Sequence, residues 1–496
     1  MKTISKSNFV SFKRCPRYLW LFLNAHENYV ESPGAQHHIE SGKQVGDLAK
    51  RYFENTVDAT ALKADGTLDI QKMIENTNTY LSENRETIAE ASFSVDGLFC
   101  SVDLLHKVND GYEIYEVKAS SSVKKKYLFD SALQKIVLQK AGLNVVGVYV
   151  LHLNNEYVRH GELNLSELFI AEKVDGKKAF LTTLNTFEKD MKELNSLLSR
   201  SDAPAPVFCS ECNDCPFEAY CKKDLKSPNI FDLQAIGIKP YDMYKEGIVT
   251  FEDIIKSGQK LNRFQQNQID CYLNNKETII NKVAIKSFLK KLKYPLYHFD
   301  FETIKLPIPP VDGTRPDQTI PTQYSLHIEY EDGRLDHKEF LGTTIDPRRE
   351  IAESICQNIP ADACVLAYSK SYECGQLKGL ANTFDDLRDH LNRIAGNIVD
   401  LAEPFQKGYF YHKGMKKKYS IKAVLPALCP NDPNLDYHAL PVVHKGDEAM
   451  EIYPKMLEAE PKEKERIRDG LLQYCCLDTL AMVMILRKIR EQISFS

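Results

Sequence analysis

The stretch CSECNDCPFEAYC, Cys209 to Cys221, places four of the chain's thirteen cysteines at the spacing C-x2-C-x2-C-x5-C. In a reducing compartment they read as metal ligands rather than disulfides. Four ligands at such spacing can close a tetrahedral zinc site unaided. Yet a fifth cysteine, Cys15 in SFKRCPRYLW, stands beside a proline near the N-terminus, which leaves open a site fed from both ends of a domain. Cys100, Cys271, Cys356, Cys364 and Cys429 are isolated and read as small buried hydrophobes.

The rest of the composition narrows the classes. A chain of 496 residues with 43% hydrophobic and 27% charged content suits an ordinary globular protein of roughly two to four domains. Its net charge of -5 provides no overall basic field, so any nucleic-acid contact must run through local patches and metal ions. The opening MKTISKSNFVSFKRCPRYLWLFLNA is broken by Lys and Arg and does not read as a signal peptide. No stretch approaches the roughly 18–20 apolar residues of a spanning helix. The expectation is a cytoplasmic protein without membrane contact.

Three blocks separate along the chain: 1–225, ending at the cysteine run; 226–288, read as short helices with little strand character; and 289–496, from YPLYHFDFETI to a long closing helix. Within the first block, ASFSVDG, LFCSVDLLHKV and GYEIYEVKAS alternate as strands around an Asn-Asp-Gly turn signal. YLFDSALQKIVLQKAG follows at helical spacing and stops at Gly142, and NVVGVYVLHLN is a continuous apolar run suited to a buried strand. That order predicts an α/β core with a mixed sheet. Glu116 and Lys118, two apart on one strand, project to one face, and Asp103 on the neighbouring strand can join them. Two carboxylates can hold Mg²⁺ or Mn²⁺, while the lysine orients or activates a water.

Asp103…Glu116-Val117-Lys118 resembles the motif of the PD-(D/E)xK nuclease superfamily. Gln134, with Tyr127 and Asp130 before it, is similar to the glutamine motif of its RecB-like branch. IESGKQVGDLAKRYF resembles that branch's opening helix, where the resemblance implies that Glu40 faces the site. Many relatives carry a metal-binding histidine on this helix; Gly46 or Asp47 stands there in this chain, a departure, and His37 and His38 lie before it. RecB-like nucleases with a [4Fe–4S] cluster, including the AddB type and the CRISPR adaptation nucleases, take one ligand before the core and three after it. The resemblance implies Cys15, Cys212, Cys215 and Cys221 as those ligands, with Cys209 spare or alternative; zinc is the other reading.

In the last block, Asp300 and Glu302 lie two apart on an apolar strand, and Tyr474 and Asp478 lie four apart on a helix, each pair on one face. Such converging carboxylates suit a two-metal site. Together they resemble the tyrosine-bearing DEDD 3′–5′ exonucleases of RNase H-like fold. Glu373 in VLAYSKSYECGQLKGLA stands where that family's middle aspartate is usual, with Asp400 in NIVDL as its substitute. KGMKKKYS (413–420) is a basic run able to meet phosphates, and MYKEGIVTFEDIIKSG resembles one weak helix–hairpin–helix. The whole chain resembles a bacterial family in which an iron–sulfur RecB-like nuclease domain is fused to a DEDD exonuclease domain. The resemblance implies a metal-dependent nuclease acting in repair, recombination or defence. DNA ranks ahead of RNA as partner, and a nucleic-acid-binding scaffold with a degenerate N-terminal site is the non-enzymatic alternative.

Overall fold

The Asn-Asp-Gly turn joins the strands Leu98–Val108 and Gly111–Lys118 as an antiparallel hairpin, with Val108 paired to Gly111. Only glycine serves at 111, where φ is 155° and a Cβ would lie 2.2 Å from the Asn144 carbonyl oxygen. The computed structural model describes residues 4–31, 35–430 and 432–494. The chain is mixed α/β and divides into two units, one running to Lys223 and including Leu306–Gln318, the other comprising Asp224–Lys305 and the chain from Thr319 onward. The 226–288 segment thus falls within the second unit. It holds the helices Pro240–Lys245, Phe251–Lys256, Arg263–Leu273 and Lys282–Leu289 and a short strand, Thr278–Ile280, paired with Phe410–His412.

In the first unit the main path of the sheet runs Thr56–Asp58, Thr87–Val95, Leu98–Val108, Gly111–Lys118, Val145–Leu153, Phe169–Lys173. The Gly111–Lys118 and Val145–Leu153 strands are parallel, and the helix Lys125–Lys140 crosses between them. That helix buries residues on every side, Leu128, Ser131, Leu133, Gln134 and Val137 among them, so its sequence shows only a weak apolar stripe. One discontinuity shapes the site. The ladder between the Asp103 and Glu116 strands ends at Leu104 and Tyr115. Beyond that point Ile4–Ser5 pairs in parallel with Leu98 and Phe99 and leads directly into the helix Lys6–Arg14.

In the second unit a five-stranded sheet runs Leu335–Leu341, Thr319–Glu329, Leu296–Lys305, Cys364–Ala367, Ile398–Asp400. The first three strands are antiparallel and the last two are parallel to the central one. Thr319–Glu329 is buried on both faces. Tyr324, Leu326 and Ile328 enter an apolar core, while Gln323 on the opposite face reaches the Leu471 carbonyl at 2.8 Å. The closing helix, Pro461–Ser494, corrects one expectation: it is long and apolar enough, by composition, to cross a membrane. Its apolar residues, including Leu471, Cys475, Met482 and Leu486, are instead buried in this unit's core.

Candidate active and metal-binding sites

The central strand of the second unit delivers Asp300 and Glu302, and the closing helix delivers Asp478 from the other side. Carboxylate oxygens of the three lie within 4.8 Å of one another. They open on a cavity of about 370 Å³ that is also lined by Glu373, Tyr474 and Lys422. Burial, then the charges of Asp478, Glu373 and Glu302, push the Asp300 carboxyl well above its ordinary range. Burial and Asp478 do the same to Glu302, and burial raises Asp478. Glu373, in the first turn of the helix Ser371–Thr383, is 3% exposed. Its carboxyl is pushed up to about 8, by burial first, and its Oε2 has no hydrogen-bond partner. Four crowded acids with an orphaned oxygen are the donor set of a divalent cation.

The sequence left two acids open for the middle position, and the structure places them differently. Glu373 lines the cavity. Asp400 instead accepts from the backbone amides of Ser369 (3.0 Å) and Ala402 (2.9 Å), holding the turn after the Cys364–Ala367 strand. Two residues that sequence reading missed complete the site. The Tyr437 hydroxyl donates to Asp478 Oδ1 at 2.6 Å. Lys422 donates to the Tyr474 hydroxyl at 2.8 Å and lies over both tyrosine rings, 4.8 and 5.0 Å from their centroids. Burial and the neighbouring carboxylates drive the Tyr474 hydroxyl's pKa up, so it keeps its proton. The basic run at 413–420 is partly spent on structure. Lys417 donates to the Phe231 carbonyl, and Lys413 donates to Asn275.

The first unit brings Asp103, Glu116 and Lys118 together as expected from their strands. Where the sheet splits, Asp103 Oδ2 accepts from the Val117 amide at 2.6 Å. Glu116 is fully buried and is held by Lys118, by Gln134 and, unforeseen, by Lys6 at 3.1 and 3.2 Å. Asp130 joins both lysines, at 3.3 and 3.4 Å. Burial alone would raise the Glu116 carboxyl, but Lys118 and Lys6 outweigh it and hold it far below its ordinary range. Asp103 goes the other way, up to about 7, through burial and the Glu116 charge. Glu90 also lines this cavity of about 270 Å³. It lies opposite Asp103 at a φ of 54°, in the left-handed region that interrupts its ladder.

On the helix Ala35–Ala49 one prediction needs correcting. Gly42, Lys43, Gly46 and Asp47 line the cavity, but Glu40 does not; it lies one turn too far towards the N-terminus. Gly46 and Asp47 occupy the place expected of them, and His37 and His38 do not line the cavity.

The five cysteines converge. Cys15, Cys209, Cys212, Cys215 and Cys221 line one cavity of about 250 Å³. Cys15 sits at the junction of the helices Lys6–Arg14 and Pro16–Asn24. Phe217 anchors the C-terminal run against Leu21 and Ala25, with Tyr18 and Tyr29 edge-on at 5.5 and 5.6 Å. Arg17 Nε lies 3.3 Å from Cys221 Sγ. Burial pushes the Cys15 and Cys215 thiols up and Cys212 to about 11. Tetrahedral zinc, with Zn–S near 2.3 Å, draws its sulfurs to about 3.8 Å from one another. Among the described residues, the groups with three or more donor atoms within 4.8 Å do not include these sulfurs.

Residues 297–420 match the profile of a domain of unknown function, DUF2779. The chain is 26% identical over 228 residues to the uncharacterized protein MG366 of Mycoplasma genitalium, covering 42% of this chain and 34% of that one. It is 32% identical over 192 residues to the uncharacterized protein UU173 of Ureaplasma parvum, covering 36% and 26%. A homolog of MG366 in Mycoplasma pneumoniae is 27% identical over 253 residues, covering 46% and 38%. The chain therefore spans less than half the length of each of these relatives.

Proposed function

We propose that this chain is a metal-dependent nuclease that hydrolyses phosphodiester bonds, trimming 3′ ends at the Asp300–Glu302–Asp478 site. The observation that carries this reading is the convergence of three carboxylates within 4.8 Å, joined by Glu373 with an unpartnered oxygen. Such a set is electrostatically unfavourable by itself and suited to a dication. Mg²⁺ or Mn²⁺ held there supplies Lewis acidity and an activated water. Tyr474, kept protonated and fixed by Lys422, directs its hydroxyl at the reacting region, and Tyr437 orients Asp478 from behind. An RNase H-like fold is supported by the sheet order, third-second-first-fourth-fifth in sequence, with two parallel strands at its end.

The first unit supports a PD-(D/E)xK assignment through its helix, three-stranded meander, crossover helix and parallel strand. Asp103 and Glu116 would hold a metal ion there, next to Lys118. The double lysine clamp on Glu116 favours a second reading for this site alone, nucleic-acid binding without hydrolysis. Five thiols converging on one cavity, one from before the core and four from after it, support a [4Fe–4S] cluster, with zinc as the other reading. Cys15, Cys212, Cys215 and Cys221 would hold it, stapling the ends of the domain, and Cys209 lines the same cavity.

Single-stranded DNA and RNA labelled at the 5′ end, incubated with Mg²⁺ or Mn²⁺ and with EDTA, test the reading. Metal-dependent shortening from the 3′ end is expected, abolished by Asp300→Ala. Retention of full activity in both Asp300→Ala and Lys118→Ala would refute both site assignments. Iron and sulfide analysis of brown protein distinguishes the cluster from zinc.

A further inference from the structure

We propose that His327, His337 and Cys476 form a separate zinc site that pins the closing helix to the outer hairpin of the second unit's sheet. Ligand atoms of the three lie within 4.8 Å of one another. The antiparallel register sets His327 directly opposite His337, with ring centroids 4.5 Å apart, and the helix lays Cys476 against the pair. Two imidazoles and a thiolate are a borderline-soft set that suits zinc and does not suit Mg²⁺ or Ca²⁺.

Two hydroxyls hold the imidazoles in place. His327 Nδ1 meets the Thr479 hydroxyl at 2.8 Å, and His337 Nε2 meets the Ser325 hydroxyl at 2.9 Å. The two hydroxyls are themselves 2.7 Å apart. Thr479 donates to the Cys476 carbonyl, so the His327 ring nitrogen is the donor to Thr479. Each imidazole is thereby fixed in orientation and left with its other nitrogen to offer. Neutral imidazole is the form that binds metal. The Cys476 thiol gives up its proton to solvent as the Zn–S bond forms. Glu339 borders the trio, its Oε2 4.0 Å from His337 Nε2.

This site is distinct from the acid cluster and does not depend on the nuclease reading. On the same two turns of helix, Tyr474 and Asp478 face the acids, while Cys476 and Thr479 face the histidines. Zinc there would fix the position at which Asp478 is presented.

The test is the zinc content of the full chain after equilibrium dialysis against Zn²⁺, for wild type, Cys476→Ser and His337→Ala. The cysteines of the first unit contribute equally in all three. His337 lies on the outermost strand, so its variant keeps the test sound if Cys476→Ser does not fold. Wild type is expected to hold one more equivalent than each folded variant, and Co²⁺ substitution should give a thiolate charge-transfer band that Cys476→Ser diminishes. Equal zinc in wild type and His337→Ala, with matching circular dichroism, overturns the proposal.

Discussion

Replacing Glu373 with glutamine should make the metal-free protein more stable while impairing its chemistry. The carboxyl has an ordinary value of 4.5 and is pushed up to about 8 in the fold. The folded state therefore holds this proton more tightly than the unfolded chain does. The group's favourable contribution is full below pH 4.5 and is lost as pH rises towards 8, at about 1.4 kcal/mol per pH unit. At pH 7 that amounts to about 3 kcal/mol of lost stability, which glutamine, similar in shape and without a titrating proton, avoids. Urea unfolding in EDTA at pH 5.5, 7.0 and 8.0 measures this. It must be followed in the second unit, for example by hydrogen exchange along the closing helix, because the sole tryptophan, Trp20, lies in the first unit. The gap between Glu373→Gln and wild type should widen from about 1 to about 3 kcal/mol between pH 5.5 and 7. Added Mn²⁺ should stabilise wild type more than the variant. A gap that stays flat with pH, or a variant less stable at pH 7, refutes the electrostatic account of this site.

Lys6→Met leaves Glu116 with one lysine instead of two, so Mn²⁺ binding to the first unit should tighten by about tenfold, roughly 1.4 kcal/mol; calorimetry showing weaker binding contradicts the clamp. Any activity of that unit should rise as pH increases through about 7, where Asp103 loses its proton, an effect readable in a Asp300→Ala background. Phe217→Ala removes the ring, 1% exposed, that anchors the cysteine run. It should cost about 3–5 kcal/mol of stability in the first unit and loosen whatever the five thiols hold, read by unfolding and by iron content.

Much of this was legible because it is local. The Asn-Asp-Gly hairpin, the two-residue spacing of Asp300 and Glu302 and the four-residue spacing of Tyr474 and Asp478 are relations of strand and helix period, which sequence states directly. Lys6 was not legible. It reaches Glu116 across 110 residues, because the sheet splits beyond Leu104 and Tyr115 and a two-residue strand fills the gap. Tyr437 and Lys422 approach the acids from a one-turn 3-10 helix, Tyr437–Ala439, and a helix N-terminus, and no periodicity connects them to Asp478. Glu90 owes its place to a left-handed backbone that no neighbouring residue type announces. Glu40 failed for a simpler reason: a helical face was identified correctly, but its register against the sheet is set by packing. The pairing of His327 with His337 depends on a three-residue loop, Glu331 to Gly333. Counting outward from a two-residue Asp332-Gly333 turn would set Ile328 opposite His337 instead, and Cys476 comes from a helix far along the chain. A long apolar helix likewise reads the same whether its partner is lipid or, as here, a sheet.

The most direct measurement is the time course of a 5′-labelled single strand of DNA with the full chain in Mn²⁺, wild type beside Asp300→Asn. Wild type should yield a ladder that shortens from the 3′ end and disappears in EDTA. The variant should be slower by 10²–10³-fold, the equivalent of about 3–4 kcal/mol of lost metal-assisted stabilisation. A wild type that leaves both DNA and RNA intact with either metal, or an Asp300→Asn protein that matches it, would contradict the assignment of the carboxylate cluster as a hydrolytic centre.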